Sequence, residues 1–459
     1  MAMKKNNKIR LSQCMIVKNE EKNIRRALSW GREIVCEQIV VDTGSTDRTV
    51  EIAEEMGAKV YHFTWCDDFS AAKNYAIEQA SGDWIAFLDA DEYFDEKSVP
   101  KLFTVIAAAE DMSRPGREIY VIRSGRANLD EKAVVRVIDQ QDRVFRNMEK
   151  LRYANRIHEA LHLSGSRAYP YLNASSELII LHTGYTQEVY EETGKLERNI
   201  SMLKKELEEN PHNAATLAYL GESYMTMNRL DKAKECFYKA VSYGMENRDQ
   251  GEDVKLHVLR SIILLLSLHA MESDPAQEDA VRELHRQYTE VYSVYPDGDC
   301  FFGMWLYQNG QYEEGREYLE SALAKMREYD GNVPLYMNGS LKLVYVQLAD
   351  CCRQMGDDQE TVRNCILSLG VDKYYTEPLV MLLGLLKAEA GEAASAGGTW
   401  GLMSKLYNLT ALKDQMAVLK GAKLTEFKAL EERVYNAMPP QQRRAVQEAL
   451  EKKRGDEGT

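Results

Sequence analysis

The chain is short of positive charge: 58 lysines and arginines stand against 72 aspartates and glutamates, a formal net charge of -14 over 459 residues. Nucleic-acid binders present a basic face to the phosphate backbone. The one basic cluster here is Lys4, Lys5, Lys8 and Arg10 at the terminus, read as a solvated tail, so no nucleic-acid partner is expected. Long apolar runs are lacking too. No stretch reads as long enough to cross a bilayer, and the run from Leu11 to Val17, interrupted by Ser12 and Gln13, is too short for a signal-peptide core. The expectation is a cytoplasmic protein with no membrane span. Its 8 cysteines (Cys14, Cys36, Cys66, Cys236, Cys300, Cys351, Cys352, Cys365) show neither the paired spacing of a zinc site nor a disulfide framework. They fit a reducing compartment, with adjacent Cys351 and Cys352 read as small core residues. The length predicts about three domains.

The stretch from Trp84 to Glu92 stands out: an apolar run without polar alternation, then Asp89-Ala90-Asp91-Glu92. It reads as a strand buried on both faces, from the middle of a parallel α/β sheet. In such sheets ligands bind beyond the carboxyl ends of the strands. Residues at i and i+2 of an extended segment point the same way, so Asp89 and Asp91 are expected to aim into one crevice. Two such carboxylates repel and raise each other's pKa unless a cation sits between them. Oxygen ligation of this kind suits Mg2+ or Mn2+ bridging to nucleotide phosphates. A soluble acidic turn is the plainer reading.

Other segments repeat the pattern. Residues 11–17 and 38–42 read as strands, the second ending in Asp42, and Lys59-Val60-Tyr61 as a third. Helical periodicity follows each: Ile24, Ala27 and Leu28, capped at Asn19 and stopped at Gly31; Val50, Ala53 and Met56; then Phe69, Ala72, Ala76, Ile77 and Ala80. The loop 43–49 lets backbone N–H groups approach an anion. The order β-α-β-α-β-α-β predicts a doubly wound nucleotide-binding half.

Four motifs, Met15-Ile16-Val17-Lys18-Asn19-Glu20-Glu21, Val41-Asp42-Thr43-Gly44-Ser45-Thr46-Asp47, Ala72-Lys73-Asn74-Tyr75-Ala76 and Asp89-Ala90-Asp91-Glu92, resemble in order and spacing those of family 2 glycosyltransferases, over about residues 9 to 95. The resemblance implies an α/β GT-A domain that transfers a sugar from a nucleotide sugar with inversion, using Mg2+ or Mn2+. It implies that Asp42 contacts the nucleoside, Lys73 lies near the base or phosphates, Asp89 reaches the ribose and Asp91 holds the metal. Val17, Asn19, Glu20, Gly44, Ser45 and Ala90 join the donor site on the same ground. Lys73, four residues after Phe69, can instead snorkel beside the buried stripe.

A helix is expected over about 96–110, then strands over 118–123 and 133–138. Polar clusters follow at Arg143-Val144-Phe145-Arg146, at Arg156-Ile157-His158-Glu159 and at Leu181-His182-Thr183-Gly184-Tyr185. An inverting transfer needs a general base opposite the leaving group. The acid-containing motif and Gln-x-x-Arg-Trp stretch that family 2 enzymes often place here are not evident. Glu159 is the candidate base, with His158 as neighbour or substitute, against a surface Glu and a core His. His182 reads as a metal ligand or a hydrogen-bonded core histidine.

Strands end after Tyr185. A GT-A domain over 9–186, a connecting helix over 187–210, an all-α tetratricopeptide-like domain over 211–440 and a charged tail over 441–459 are expected. Leu217, Leu220, Gly221, Tyr224, Ala233, Phe237 and Ala240 match the tetratricopeptide template, apart from Leu217 in place of Trp. Weaker copies lie around Gly303, Leu306, Leu319 and Ala322, and around Leu348, Ala349 and Cys352. The low-complexity run 391–398 reads as a mobile loop. A repeat groove suits a peptide or protein acceptor, or self-association as a homodimer. The motif set and helical extension also resemble bacterial peptide glycosyltransferases acting on cysteine or serine. The alternative from another class is a repeat scaffold whose α/β domain binds nucleotide without turnover.

Overall fold

The computed structural model describes residues 9–129, 134–166, 168–183, 195–247, 252–331, 333–390 and 392–444. Two compact units form, Met1–Ala233 and Lys234–Thr459. The change from sheet to helices expected at 186 and 187 lies outside the described residues, as do residues 445–459 of the charged tail.

In the first unit the expected strands are β1 (Leu11–Val17), β2 (Glu37–Asp42), β3 (Lys59–His62) and β4 (Trp84–Phe87). They lie parallel in the order β3-β2-β1-β4. Helices α1 (Ile24–Ser29), α2 (Thr49–Glu55) and α3 (Phe69–Glu78) make the crossovers. Because β1 is flanked by β2 and β4, the winding reverses there, and the loops after β1 and β4 diverge to leave a crevice. All of β4 is buried, as its unbroken apolar run requires. Asn19 does not cap α1. Asn23 occupies that position, while Asn19 sits at φ 57 and bonds to the neighbouring loop.

The sheet continues through β5 (Glu92–Phe94), β6 (Val121–Leu129), β7 (Val135–Arg146) and β11 (Ile179–His182), with β10 (Tyr171–Asn173) beside β6. Both middle strands are longer than expected, and β7 absorbs the Arg143–Arg146 cluster, lying antiparallel between β4 and β6. The helix expected from 96 is α4 (Leu102–Met112), entered through a 3-10 turn, Val99–Lys101, that holds Pro100. A separate hairpin pairs β8 (Leu151–Ala154) with β9 (Ala160–Leu163). It is fastened to α3: Asn74 donates to the Tyr153 carbonyl and accepts from its N–H, both at 2.9 Å, and Ser70 Oγ donates to the Asn155 carbonyl at 2.6 Å. The unit ends in α5 (Lys195–Glu209) and α6 (Ala214–Thr226); the start of the connecting helix expected from 187 lies outside the described residues.

Helix α7 (Leu230–Glu246) leads into the second unit, which is helical among its described residues. It holds α8 (Glu252–Glu272), α9 (Glu278–Tyr292), α10 (Pro296–Gln308), α11 (Tyr312–Glu328), α12 (Leu341–Gln354) and α13 (Asp358–Val371). After them come α14 (Thr376–Ala390), α15 (Glu392–Leu406), α16 (Leu412–Leu424) and α17 (Lys428–Ala437). The hairpins expected around Gly303 and Leu348 are α10–α11 and α12–α13. A Cβ on Gly303 would lie 3.0 Å from Leu319, which explains a glycine at that helix crossing. Burial pushes Cys351 up to about 12 and Cys352 up to about 11, and both sit in the core.

Two expectations are corrected. Val254–Glu272 of α8 is long and apolar enough to cross a membrane, with a mean hydropathy of 1.5. Ile262, Ile263, Leu265 and Leu266 are buried in the folded unit, where α8 packs on α9 and α10, the behaviour of a core helix. Residues 392–398 are not a loop but the first turns of α15; Ala393, Ala394 and Ala396 outweigh the glycines in helix propensity. Gly391 lies outside the described residues.

Asn74→Ala should cost roughly 1–3 kcal/mol, because it leaves Tyr153 backbone groups without their partner. A thermal midpoint equal to that of the unmodified protein would show that the β8–β9 hairpin is held by other contacts.

Candidate active site

A cleft of about 350 Å3 opens at the carboxyl ends of β1 and β4, lined by residues that include Val17, Glu20, Lys73, Asp89, Ala90, Asp91, Glu159 and His182. Each of these eight was marked in the sequence. Ile16, Lys18, Thr43, Trp65, Phe69 and Arg198 complete the lining and were not marked as ligand contacts.

At its floor Lys73 is 2% exposed, with Nζ 2.7 Å from Glu159 Oε1 and 3.2 Å from Asp89 Oδ1. Snorkelling is therefore ruled out for Lys73; its ammonium points inward between two carboxylates. Burial alone would pull the amine down, but Asp89 and Glu159 hold it above its ordinary value. Arg143 closes the other side, its guanidinium 2.6 Å from Asp89 Oδ2 and 2.9 Å from Glu92 Oε1. Burial would raise Asp89, yet Arg143 and Lys73 outweigh it and keep the carboxyl well below the usual range. The Tyr153 hydroxyl near this cluster is pushed up to about 12 by burial.

The expected pairing of Asp89 with Asp91 is corrected here. Glu92 N–H donates to the Asp89 carbonyl at 3.0 Å, a turn that breaks the two-residue alternation of a strand. Asp89 takes the buried cations, while Asp91 Oδ2 lies 3.4 Å from His182 Nε2. The two carboxylates thus face different partners. His182 Nδ1 is 2.7 Å from Asn128 Oδ1, and Asn128 Nδ2 donates to Asp139 at 3.2 Å. That orientation of Asn128 makes Nδ1 the donor in this pair and leaves Nε2 facing Asp91. A lone pair facing a carboxylate oxygen needs a proton or a cation between them. Among the described residues no group of three or more His, Cys, Asp or Glu is placed to hold a metal, so the pair would supply two ligands and a diphosphate and water the rest. Octahedral Mg2+ or Mn2+ with ligands at about 2.1 Å accepts such a partial protein shell, and the residues fit the ion.

Five marked residues do not line the cleft. Asp42 is buried and folds back on its own loop, accepting from Gly44 N–H at 3.1 Å and Ser45 N–H at 3.0 Å. Gly44, at φ 107, permits that turn. Asn19 N–H donates to Ser45 Oγ at 2.9 Å, and Asn19 Oδ1 accepts from Thr46 N–H at 2.8 Å. Asn19, Asp42, Gly44 and Ser45 thus tie the β1 and β2 loops together, and the residues between them, Lys18 and Thr43, face the cleft. His158, at φ 54, stacks on Tyr219 with ring centroids 3.7 Å apart. Arg126 and Asn128 gave no local signal, because their partners Glu92, Asp139 and His182 come from distant segments.

A doubly wound sheet with acids at its switch point and an Asp–His pair at the rim defines a nucleotide-binding α/β domain of the GT-A kind. The comparisons agree. Residues 12–168 match the glycosyl transferase family 2 model, and residues 216–243 that of the tetratricopeptide repeat. A region similar to family 2 glycosyltransferases is thus followed by one similar to the tetratricopeptide repeat. It is 32% identical over 239 residues to a TPR repeat-containing protein of Synechococcus elongatus, covering 51% of this chain and 57% of that protein. It is 26% identical over 256 residues to the SPbeta prophage-derived glycosyltransferase SunS of Bacillus subtilis, covering 55% of this chain and 57% of SunS. A 99-residue match at 38% identity to an uncharacterized glycosyltransferase of Rickettsia felis covers 22% of this chain and 35% of that one. The chain thus spans just over half the length of the first two.

Arg143→Met would leave Asp89 and Glu92 short of a buried cation and should destabilise the first unit by about 3 kcal/mol. Asp89 has a depressed folded pKa, so its contribution is complete above the unfolded value and lost as pH falls through the folded one. Asp89→Asn should accordingly melt below the unmodified protein at pH 7, with the gap narrowing as pH falls below about 4. A gap independent of pH would remove the charge from this account.

Proposed function

We propose that the protein is a metal-dependent inverting glycosyltransferase that moves a sugar from a nucleoside-diphosphate donor, a UDP-sugar first among them, to a peptide or protein side chain. The observation that carries this reading is the pairing, in one cleft, of Asp91 with the Nε2 face of His182. Asp91 and His182 would hold Mg2+ or Mn2+. Such an ion lowers the barrier by neutralising charge that grows on the departing diphosphate.

The chain's own residues have separate tasks. Lys73 and Arg143 hold Asp89 at the cleft wall, ready to accept hydrogen bonds from a ribose. The tied loops keep Val17, Glu20 and Thr43 at the crevice. Glu159, oriented through Oε1 by Lys73, is the candidate base: it would take the acceptor proton as the acceptor atom bonds to the anomeric carbon and the bond to the diphosphate breaks. His158, stacked outside the lining, is no longer needed as its substitute. An acceptor thiol, with an ordinary pKa near 8.5, would ask less of that base than a hydroxyl. The tetratricopeptide helices suit an extended peptide, and cytoplasmic residence accords with cysteines that form no disulfide among the described residues.

The test is a panel of nucleotide sugars assayed for hydrolysis with Mn2+, Mg2+ or a chelator. Hydrolysis that a chelator stops supports the enzyme; tight nucleotide binding without turnover under any metal would leave the scaffold reading. Asp91→Asn should abolish metal-dependent turnover while preserving the melting temperature, and full activity in that variant would sink the metal assignment. His182→Ala should weaken Mn2+ binding roughly ten-fold or more in a calorimetric titration, since nitrogen donors favour the later metals. Unchanged affinity would return His182 to the core.

A further inference from the structure

Helix α5 begins after the residues matched to family 2, and its sequence reads as a charged connector. It nevertheless brings one side chain into the cleft: Arg198 lines the same cavity as Asp89, Asp91, Glu159 and His182. Its placement follows from how the helix is fastened. Lys205 pairs with Asp67, and Arg156 pairs with Glu209 and, at 3.9 Å, with Glu206. Met202 and Leu203 are buried beneath. Arg198, Met202 and Lys205 are spaced i, i+4, i+7 and share one helix face, so the contacts that hold Lys205 at Asp67 also turn Arg198 toward the cavity.

The charge of Arg198 is not spent within the protein. Lys73 is engaged by Asp89 and Glu159, and Arg143 by Asp89 and Glu92. Arg198, by contrast, lies over the Phe69 ring at 5.3 Å, and no carboxylate among the described residues pairs with it. Phe69 in turn packs edge-on against Trp65 at 4.9 Å, giving the guanidinium an aromatic wall to lie on. A planar cation that lies over an aromatic ring and lines the cleft is suited to phosphate oxygens, which a guanidinium meets in bidentate fashion.

We propose that Arg198 binds the diphosphate of the donor and stabilises it as it leaves, so that the helix after the family 2 region belongs to the catalytic machinery. The proposal rests on the nucleotide-sugar reading of the cleft. A departing nucleoside diphosphate carries more negative charge than one divalent ion neutralises, and a guanidinium lining the same cleft meets the remainder without any proton transfer. The reacting bonds are unchanged: the acceptor bonds to the anomeric carbon, and the electron pair of the broken bond stays on the diphosphate.

The experiment uses the full chain with Mn2+ and calorimetric titration of UDP, GDP, ADP and dTDP, then of the nucleoside monophosphate matching the best binder. R198Q should lose roughly ten-fold or more in diphosphate affinity and little for the monophosphate, with R198K between the two and all melting temperatures alike. Equal losses for diphosphate and monophosphate, or none for either, would overturn the role of Arg198 while leaving the nucleotide site intact. If the unmodified protein binds no diphosphate, the nucleotide reading itself falls, and this proposal with it.

Discussion

The interaction on which the first unit depends is the burial of the Lys73 ammonium. A cation that is 2% exposed is sustained only by anions brought to it, and here they come from two directions. Asp89 arrives at the end of β4, and Glu159 on the β8–β9 hairpin. Each demand propagates. Asp89 also needs Arg143, which is available because β7 runs antiparallel beside β4 and carries that side chain to its carboxyl end. Glu159 is in reach because Asn74 and Ser70, neighbours of Lys73 on α3, bolt the hairpin to the helix.

From that cluster the charges alternate across the sheet. Arg143 shares Glu92 with Arg126, Arg126 binds Asp139, Asp139 receives Asn128, and Asn128 orients His182 toward Asp91. The candidate base and the candidate metal pair therefore stand at opposite ends of one network of ion pairs and hydrogen bonds. Pairs of this kind add little net stability over an apolar core of equal shape. What they supply is position: each carboxylate has one orientation in which its partners are satisfied. Rigidity of that sort suits a site whose electrostatics must be in place before the leaving group departs.

The second unit is built on a different constraint. Among the described residues its helices have no sheet to cover and bury their apolar faces against one another, with small residues such as Gly303 at the close approaches. The same physics accounts for α8, apolar enough by composition for a membrane yet buried within its own unit. Ion pairs occur here too, as where buried Asp299 meets His285 at 2.9 Å and Lys325 at 2.7 Å, and recognition rather than chemistry is the proposed task of this half.

The sequence by itself determined the α/β half, the place of its strands and the ends at which ligands gather, because apolar runs of strand length ending in acids carry that information locally. It also marked one tetratricopeptide repeat, through a template of fixed spacing, where residues 216–243 match that family's model. Eight of the residues it marked line the cleft. What it could not decide was which carboxylate meets which cation. Asp89 and Asp91 look equivalent two residues apart, and only Lys73, Arg143 and His182, brought from 16, 54 and 91 residues away, make one the partner of buried cations and the other the neighbour of a histidine. Asp42, Asn19, Gly44 and Ser45 were legible as important but not as a clasp, since Asp42 shapes its own loop and Asn19 meets Ser45 and Thr46 from the loop after β1. Arg198 carried no signal at all beyond helical spacing. Its meaning came from the tertiary fold, which presses a helix from beyond the recognised motifs against Asp67 and Arg156 and leaves one guanidinium facing the cleft.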